Sequence, residues 1–317
     1  MAVRRGPAHT LVIGEALVDV VRAADGTTTE HVGGSPLNVA VGLARLGHRV
    51  CLATHFGRGR RGATIGDHLS DSGVDLVPDS DRAEDTPVAI ATLDAQGGAE
   101  YTFELTWQVP QLPERTGHLH TGSYGALMSP GGVDVLAAMD GGRLLGTVSY
   151  DPNVRPSLMP DREATLAEVE RRVALSDVVK ASDEDIAWLA GRPLDEEELT
   201  EWLLGWRDLG AKVAVCTRGD LGALAILPSG RVVSVPATRV EVADTVGAGD
   251  AFMSGLLSGL LDAGLLGVPE ARGRLRRARG RVVIEAVRRG IDAATVTVTR
   301  VGAQPPIRAD LGLGPAR

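Results

Sequence analysis

Two aspartates bracket a run of small residues in Asp244-Thr245-Val246-Gly247-Ala248-Gly249-Asp250. The next stretch, Ala251 to Leu266, spaces its apolar residues as on a helix with one buried stripe, so the run predicts a turn that opens a helix. Gly247, Ala248 and Gly249 leave their backbone N–H groups bare. A helix start adds about half a positive charge, so this turn can hold an anion such as a phosphate. Asp250 then has two readings. It is a first-turn carboxylate complementing the helix dipole, or a base beside an anion hole, an arrangement that suits moving a phosphoryl group onto a hydroxyl. With a reference pKa of about 3.9, lowered further by the helix end, such a base takes the proton only late in the transfer.

Other residues could join such a site. Glu15-Ala16-Leu17-Val18-Asp19 follows the apolar run Leu11–Gly14 and brings two carboxylates to the end of a buried strand, where open α/β sheets place ligands. Taken alone, Asp19 is equally a solvated loop residue. Asn38 lies in the first turns of a helix opened by Gly33-Gly34; its amide donates and accepts, as a polyol requires, or serves as a cap. Arg155, in Asp151-Pro152-Asn153-Val154-Arg155, is a charged fork that fits an anionic substrate or a surface ion pair. Ser182 with Asp183, Glu184 and Asp185 behind it is a helix cap on plain physical grounds. Trp107 is an apolar wall for a sugar face or an anchor for the hairpin before it. His118 and His120 share a strand face without the spacing of a metal site, which favours structural histidines.

The scaffold follows from the hydrophobic pattern. Leu11–Gly14, Val50–His55, His118–Gly122, Gly146–Tyr150, Val178–Ala181 and Val213–Thr217 predict short buried strands, separated by helices that include Thr64–Leu69, Val133–Met139, Arg162–Leu175 and Leu194–Leu203. Hairpins are expected for Val18–Ala23 with Thr27–Val32, for Pro87–Asp94 with Ala99–Leu105 around Gln96-Gly97-Gly98, and for Leu224–Leu227 with Arg231–Val235. The first two would form a small sheet outside the main one. Ala271–Arg289 is basic and predicts a solvated helix face. The fold class is α/β: one domain with a largely parallel central sheet and helices on both faces.

Two of these stretches together carry a family resemblance. Asp244 to Asp250 resembles the D-T-x-G-A-G-D signature of the ribokinase-like (PfkB) sugar kinases. Gly33-Gly34-Ser35-Pro36-Leu37-Asn38-Val39-Ala40, with Gly47 and Gly57 at the right distances, is similar to the family's amino-terminal signature. Asp151 to Arg155 resembles the D-x-N-x-R of fructokinase-like and 2-keto-3-deoxygluconate kinase-like members. Ser182 to Asp185 stands where the family has N-x-x-E or S-x-x-E, with Asp185 in place of the usual glutamate. Thr217-Arg218-Gly219-Asp220-Leu221-Gly222 resembles a T-x-G-x-x-G turn. The resemblance covers nearly all of the chain beyond the first ten residues.

It implies a ribokinase-like three-layer sandwich over residues 1–317, with a β lid from residues 18–32 and 87–105, and an ATP-dependent kinase acting on a sugar hydroxyl. Asp250 would be the base, and Gly247, Ala248, Gly249 and Arg155 would act on the transferring phosphoryl. Asp19, Gly33, Gly34, Asn38, Asn153 and Trp107 would hold the sugar. Thr217, Gly219, Gly222, Ser182 and Asp185 would serve the nucleotide and, through water, its magnesium. Main-chain oxygens at Asp244, Val246, Arg300 and Gly302 would surround a monovalent cation such as potassium, and Ala293–Pro305 would include the adenine pocket. Fructose is the first expectation for the substrate, then a 2-keto-3-deoxy sugar acid, then a nucleoside. A homodimer paired through the lid is also implied. A binder of sugar or nucleotide without turnover is the reading from another class.

Composition narrows the remainder. The net charge of −8 argues against a general nucleic-acid binder, and 44% hydrophobic with 23% charged residues is ordinary for a globular protein. Lysine occurs only at Lys180 and Lys212 among many arginines, which reads as genome composition. Cys51 and Cys216 sit in apolar runs and look like buried thiols of a reducing cytoplasm. No apolar stretch near Met1 resembles a signal peptide, and Ala251–Val268 predicts a core helix and not a membrane span. No G-x-G-x-x-G follows Leu11–Gly14 and no Walker sequence is present, which weighs against Rossmann dehydrogenases and P-loop kinases.

Overall fold

The computed structural model describes residues 10–93, 99–114, 116–159 and 161–315. The turn expected at Gln96-Gly97-Gly98 lies outside the described residues. Strand β1 (Thr10–Ile13) leads to β2 (Leu17–Arg22), β3 (Thr28–Gly33), helix α1 (Ser35–Arg45), β4 (Val50–Ala53), α2 (Arg60–Asp71) and β5 (Asp75–Leu76). Next come β6 (Val88–Leu93), β7 (Ala99–Glu104), β8 (His118–Gly122), α3 (Gly131–Leu145), β9 (Thr147–Asp151), α4 (Arg162–Leu175), β10 (Val178–Ser182) and α5 (Asp183–Ala190). The chain continues through α6 (Glu196–Leu209), β11 (Val213–Thr217), β12 (Ala223–Ile226), β13 (Val232–Val235), α7 (Ala248–Asp262), α8 (Pro269–Arg276) and α9 (Gly280–Val298).

Nine strands form one sheet in the order β13-β12-β11-β10-β9-β8-β1-β4-β5. It is parallel from β5 to β11, with β12 and β13 added antiparallel. Alternation divides each buried strand between two cores: Val12, Val178, Val213 and Val215 pack with α1, α7 and α9, whereas Leu11, Ile13, Val179 and Cys216 pack with α3, α4 and α6. β2 and β3, and β6 and β7, are the two predicted hairpins, and they form a second sheet in the order β3-β2-β6-β7. Val18, Val20, Val88 and Ile90 seat one face of this small sheet on the core that holds Phe56 and Ile65.

Three expectations are corrected. α7 has no single stripe: Asp250 through Leu260 are all buried, because α1 and α9 flank it where the other side would have met water. It also begins at Ala248, so Asp250 lies inside its first turn. The basic stretch divides into α8 and α9, and α9 buries Val283, Val287 and Ile291 along α7. The helix expected at Leu194–Leu203 runs on to Leu209 as α6, which Asp195 starts with a capping box.

Candidate active site

The strand order reverses at β1, which has β4 on one side and β8 on the other, and in such sheets ligands bind beyond the carboxyl ends of the strands. Glu15, Ser123, Asp151, Ser182 and Thr217 all lie at or just past those ends. Ser123 and Asn153 have φ of 56° and 38°, values that non-glycine residues adopt at a cost and that cluster at binding sites.

Asp250 is the centre of the arrangement. Its Oδ1 accepts from Ser35 Oγ at 2.6 Å and its Oδ2 from Asn38 Nδ2 at 2.8 Å, so α1 and α7 meet on one carboxylate. Burial raises its pKa; hydrogen bonds from Ser35 and Asn38 and the charges of Lys180 and Arg155 oppose the rise without cancelling it. This reverses the expectation that the helix end would lower it, since desolvation outweighs the dipole. Gly247, at φ 75°, forms the left-handed entry to α7, and a Cβ there would lie 2.6 Å from that of Ala303. The amide of Ala248 donates to Thr245 O at 3.2 Å, so among the described residues the bare N–H groups of the turn are those of Gly247 and Gly249 and not all three.

Beside β2, Gly33 faces the Asp19 carboxylate closely enough that a Cβ would collide with it, and Gly34, at φ 113°, lies against the backbone of Glu15. Asp19 is exposed on β2, with its carboxylate next to Gly33. Arg155 is exposed and makes no ion pair among the described residues. Its Nη1 donates to Asn153 Oδ1 at 2.8 Å and to the carbonyls of Asn153 and Val154, which fixes the loop below it. Trp107 is 3% exposed, in the core beside Leu17 and Tyr124 with its indole against Gly131, as an anchor would be.

Next to the start of α7, a cavity of about 540 Å³ is lined by Thr217, Gly219, Gly222, Ala248, Gly249, Phe252, Ala294, Thr295 and Val298, among others. The stretch expected to include an adenine pocket supplies part of its wall from the last turns of α9. Asp244 ties this wall to the anion turn, its Oδ1 accepting from Val246 N at 3.0 Å and its Oδ2 from Gly302 N at 2.8 Å. The two loops expected around a monovalent cation are thus adjacent, and Arg300 is held by Asp310. Ser182 and Asp185 form a capping box, and Asp185 Oδ1 also accepts from Val154 N at 2.7 Å. Glu184 is exposed.

No group of three or more His, Cys, Asp or Glu among the described residues could cage a metal. That fits a magnesium ion carried mostly by phosphates and water with one or two carboxylates behind it. Asp185 retains acceptor capacity, and Asp151 Oδ1 is buried without a protein donor, so these two would face such an ion. When bound it would screen the charge of the nucleotide phosphates.

Residues 8–310 match the pfkB family carbohydrate kinase profile. The chain belongs to the pfkB family of carbohydrate kinases. It is an ATP-dependent phosphotransferase whose acceptor is a sugar. This pfkB kinase is 34% identical over 264 residues to a fructokinase of Rhizobium leguminosarum bv. trifolii, covering 79% of each chain. It superposes with a TM-score of 0.78 on the fructokinase of Vibrio cholerae O395 bound to fructose, ADP and calcium, at 27% identity, covering 96% of this chain and 98% of that one. An aminoimidazole riboside kinase from Salmonella enterica, complexed with its riboside and an ATP analogue, gives a TM-score of 0.75 at 26% identity, covering 96% and 98%.

Three residues of the candidate site lie outside the roles that the motifs imply. Ser35 lies inside the amino-terminal signature, and the partner of its hydroxyl is 215 positions away on α7. Glu15 is buried with Oε2 accepting from Gly125 N at 3.1 Å, and burial pushes it up to about 7. Lys180, read as one of two lysines surviving a compositional bias, is buried in the site, its Nζ donating to Asp151 Oδ2 at 2.9 Å. His118 and His120 do take the structural reading, bonded to Thr147 and Ser149 and kept neutral by burial, which drives both down to about 3.

Proposed function

We propose that this kinase transfers the γ-phosphoryl group of ATP to a hydroxyl of fructose, with Asp250 as the base. The observation that carries the reading is the Asp250 carboxylate, held by Ser35 and Asn38 beside the Gly247 and Gly249 amides. The sugar would lie between the sheets, against Asp19, Gly33, Gly34, Asn38 and Asn153. The nucleotide would fill the cavity along α9, its phosphates reaching the turn that starts α7. As the hydroxyl oxygen bonds to phosphorus, its proton passes to Asp250, which burial makes more basic than an exposed aspartate. The turn amides, the N-terminus of α7 and Arg155 offset charge on the phosphoryl oxygens.

Fructose is preferred because the fructokinase relatives match most of the chain and because the Gly33–Ala40 and Asp151–Arg155 stretches resemble fructokinase-like motifs. A 2-keto-3-deoxy sugar acid is the second reading, favoured by the exposed Arg155 guanidinium. Four further assignments belong to the same proposal: β2, β3, β6 and β7 act as the lid of a single domain; Ser182 and Asp185 back the magnesium; the Asp244 and Gly302 loops hold potassium; and the protein works in a reducing cytoplasm. No described helix is long and apolar enough to cross a membrane. β3 and β7 are the edge strands along which two copies would pair, and sedimentation of a monomer at micromolar concentration would remove that pairing.

An ADP-release screen over hexoses, keto sugar acids and nucleosides, with and without potassium, tests the assignment. Fructose should give the highest kcat/KM. Turnover of nucleosides alone would overturn it.

A further inference from the structure

Lys180 is on β10, two residues before Ser182 and so on the same strand face, and is 3% exposed. An ammonium has three N–H donors. Among the described residues the hydrogen-bonded partner of Nζ is Asp151 Oδ2, at 2.9 Å, which leaves two donors. Nζ also lies against the anion turn: a Cβ added to Gly249 would be 3.2 Å from it. The charge is secure. Burial works against it, but the carboxylates of Asp151, Asp185 and Asp250 outweigh burial and hold the ammonium above its usual range.

A lysine that only neutralised Asp151 could have sat anywhere along that carboxylate. This one is pressed against the glycine whose amide is bare, beside the base, with donors to spare. We propose that Lys180 is a catalytic residue: its ammonium, aimed by Asp151, contacts an oxygen of the transferring phosphoryl group and stabilises its charge during transfer. The inference rests on the reading of Asp250 and the α7 turn as the phosphoryl-transfer site. In the step, the bond from the sugar oxygen to phosphorus forms, the bond from phosphorus to the ADP oxygen breaks, and the sugar proton goes to Asp250. Lys180 keeps its proton and charge throughout.

Removing Lys180 alone would strand a buried carboxylate, so the variants are built on Asp151→Asn. Asp151→Asn by itself should reduce kcat by about tenfold or less. Adding Lys180→Met, or in a second protein Lys180→Gln, should reduce kcat by a further 10²–10³-fold, the range for loss of one charge-stabilising donor. The KM for sugar and the Kd for ADP should stay within about threefold. Binding of ADP with aluminium fluoride, which imitates the phosphoryl group in flight, should weaken by more than tenfold, an effect that a packing defect would not confine to that complex. A folded Met or Gln variant with kcat within threefold of the Asp151→Asn parent overturns the proposal. So does failure of both to fold, which would make the lysine structural. Asp250→Asn, measured alongside, separates this outcome from failure of the base assignment: full activity there would dismiss the site itself.

Discussion

Asp250 and Glu15 are both buried acids of the site, and their environments differ in a way that can be measured. Asp250 has a donor on each oxygen, and these hydrogen bonds favour its charged form against the burial that raises its pKa. Its replacement by asparagine should lower kcat by 10²–10⁴-fold with little change in KM, and steady-state kinetics that show near-normal kcat would remove it from the mechanism. Glu15, with its ordinary value of 4.5 raised to about 7, binds a proton in the native state that the unfolded chain has released between those pH values. Its contribution to stability therefore falls as pH rises from 4.5 to 7 and is constant above. One pKa unit is about 1.4 kcal/mol, so the window amounts to about 3 kcal/mol. Glu15→Gln should gain that much on the wild type between pH 4.5 and 8 in urea titrations; a difference that does not vary with pH would show that Glu15 is not perturbed in the fold.

At the level of elements, α7 explains both what could be read from the sequence and what could not. The buried strands were legible because each is a continuous apolar run, and the hairpins because a turn pair separates alternating runs. The full burial of α7 was not, because it depends on α1 and α9, which come from opposite ends of the chain. For the same reason Ser35 could be quoted as part of a signature without its bond to Asp250, and the pKa direction of Asp250 was missed when only the helix dipole was weighed. Lys180 was hidden by its scarcity: residue counts reflect the genome as well as the site. The glycines of α7 make the close packing possible, since a Cβ on Gly255 would lie 2.6 Å from Arg289 O and one on Gly259 2.7 Å from Ala286 Cα. Alanine is the better helix former by about 1 kcal/mol, yet Gly259→Ala should destabilise the protein by about 1–3 kcal/mol, as overpacking outweighs propensity. An unchanged or raised urea midpoint would mean that α7 and α9 are less closely apposed.

For the whole molecule, the proposed function puts the sugar between the two sheets and the nucleotide along α9, as separate half-sites that converge at the start of α7. Sugar and nucleotide should therefore each stabilise the protein alone. At a hundred times its Kd, a ligand adds about 2.7 kcal/mol, a rise of several degrees in the melting midpoint. Fructose and an ATP analogue, tested singly and together in thermal melts, should both raise it, and Asp250→Asn should retain the nucleotide's increment. A midpoint that neither ligand moves would contradict the placement of both half-sites.

The bond from Ser35 to Asp250 spans 215 positions, and that distance matters while the protein is being made. A ribosome releases the amino-terminal hydroxyl and amide donors long before it reaches the acid they will hold. Nascent chains, and any fragment that terminates before Asp250, therefore carry Ser35 and Asn38 without the carboxylate they hold. On the proposed reading of Asp250 as the base, turnover can begin only after residue 250 has been made and α7 has packed on α1.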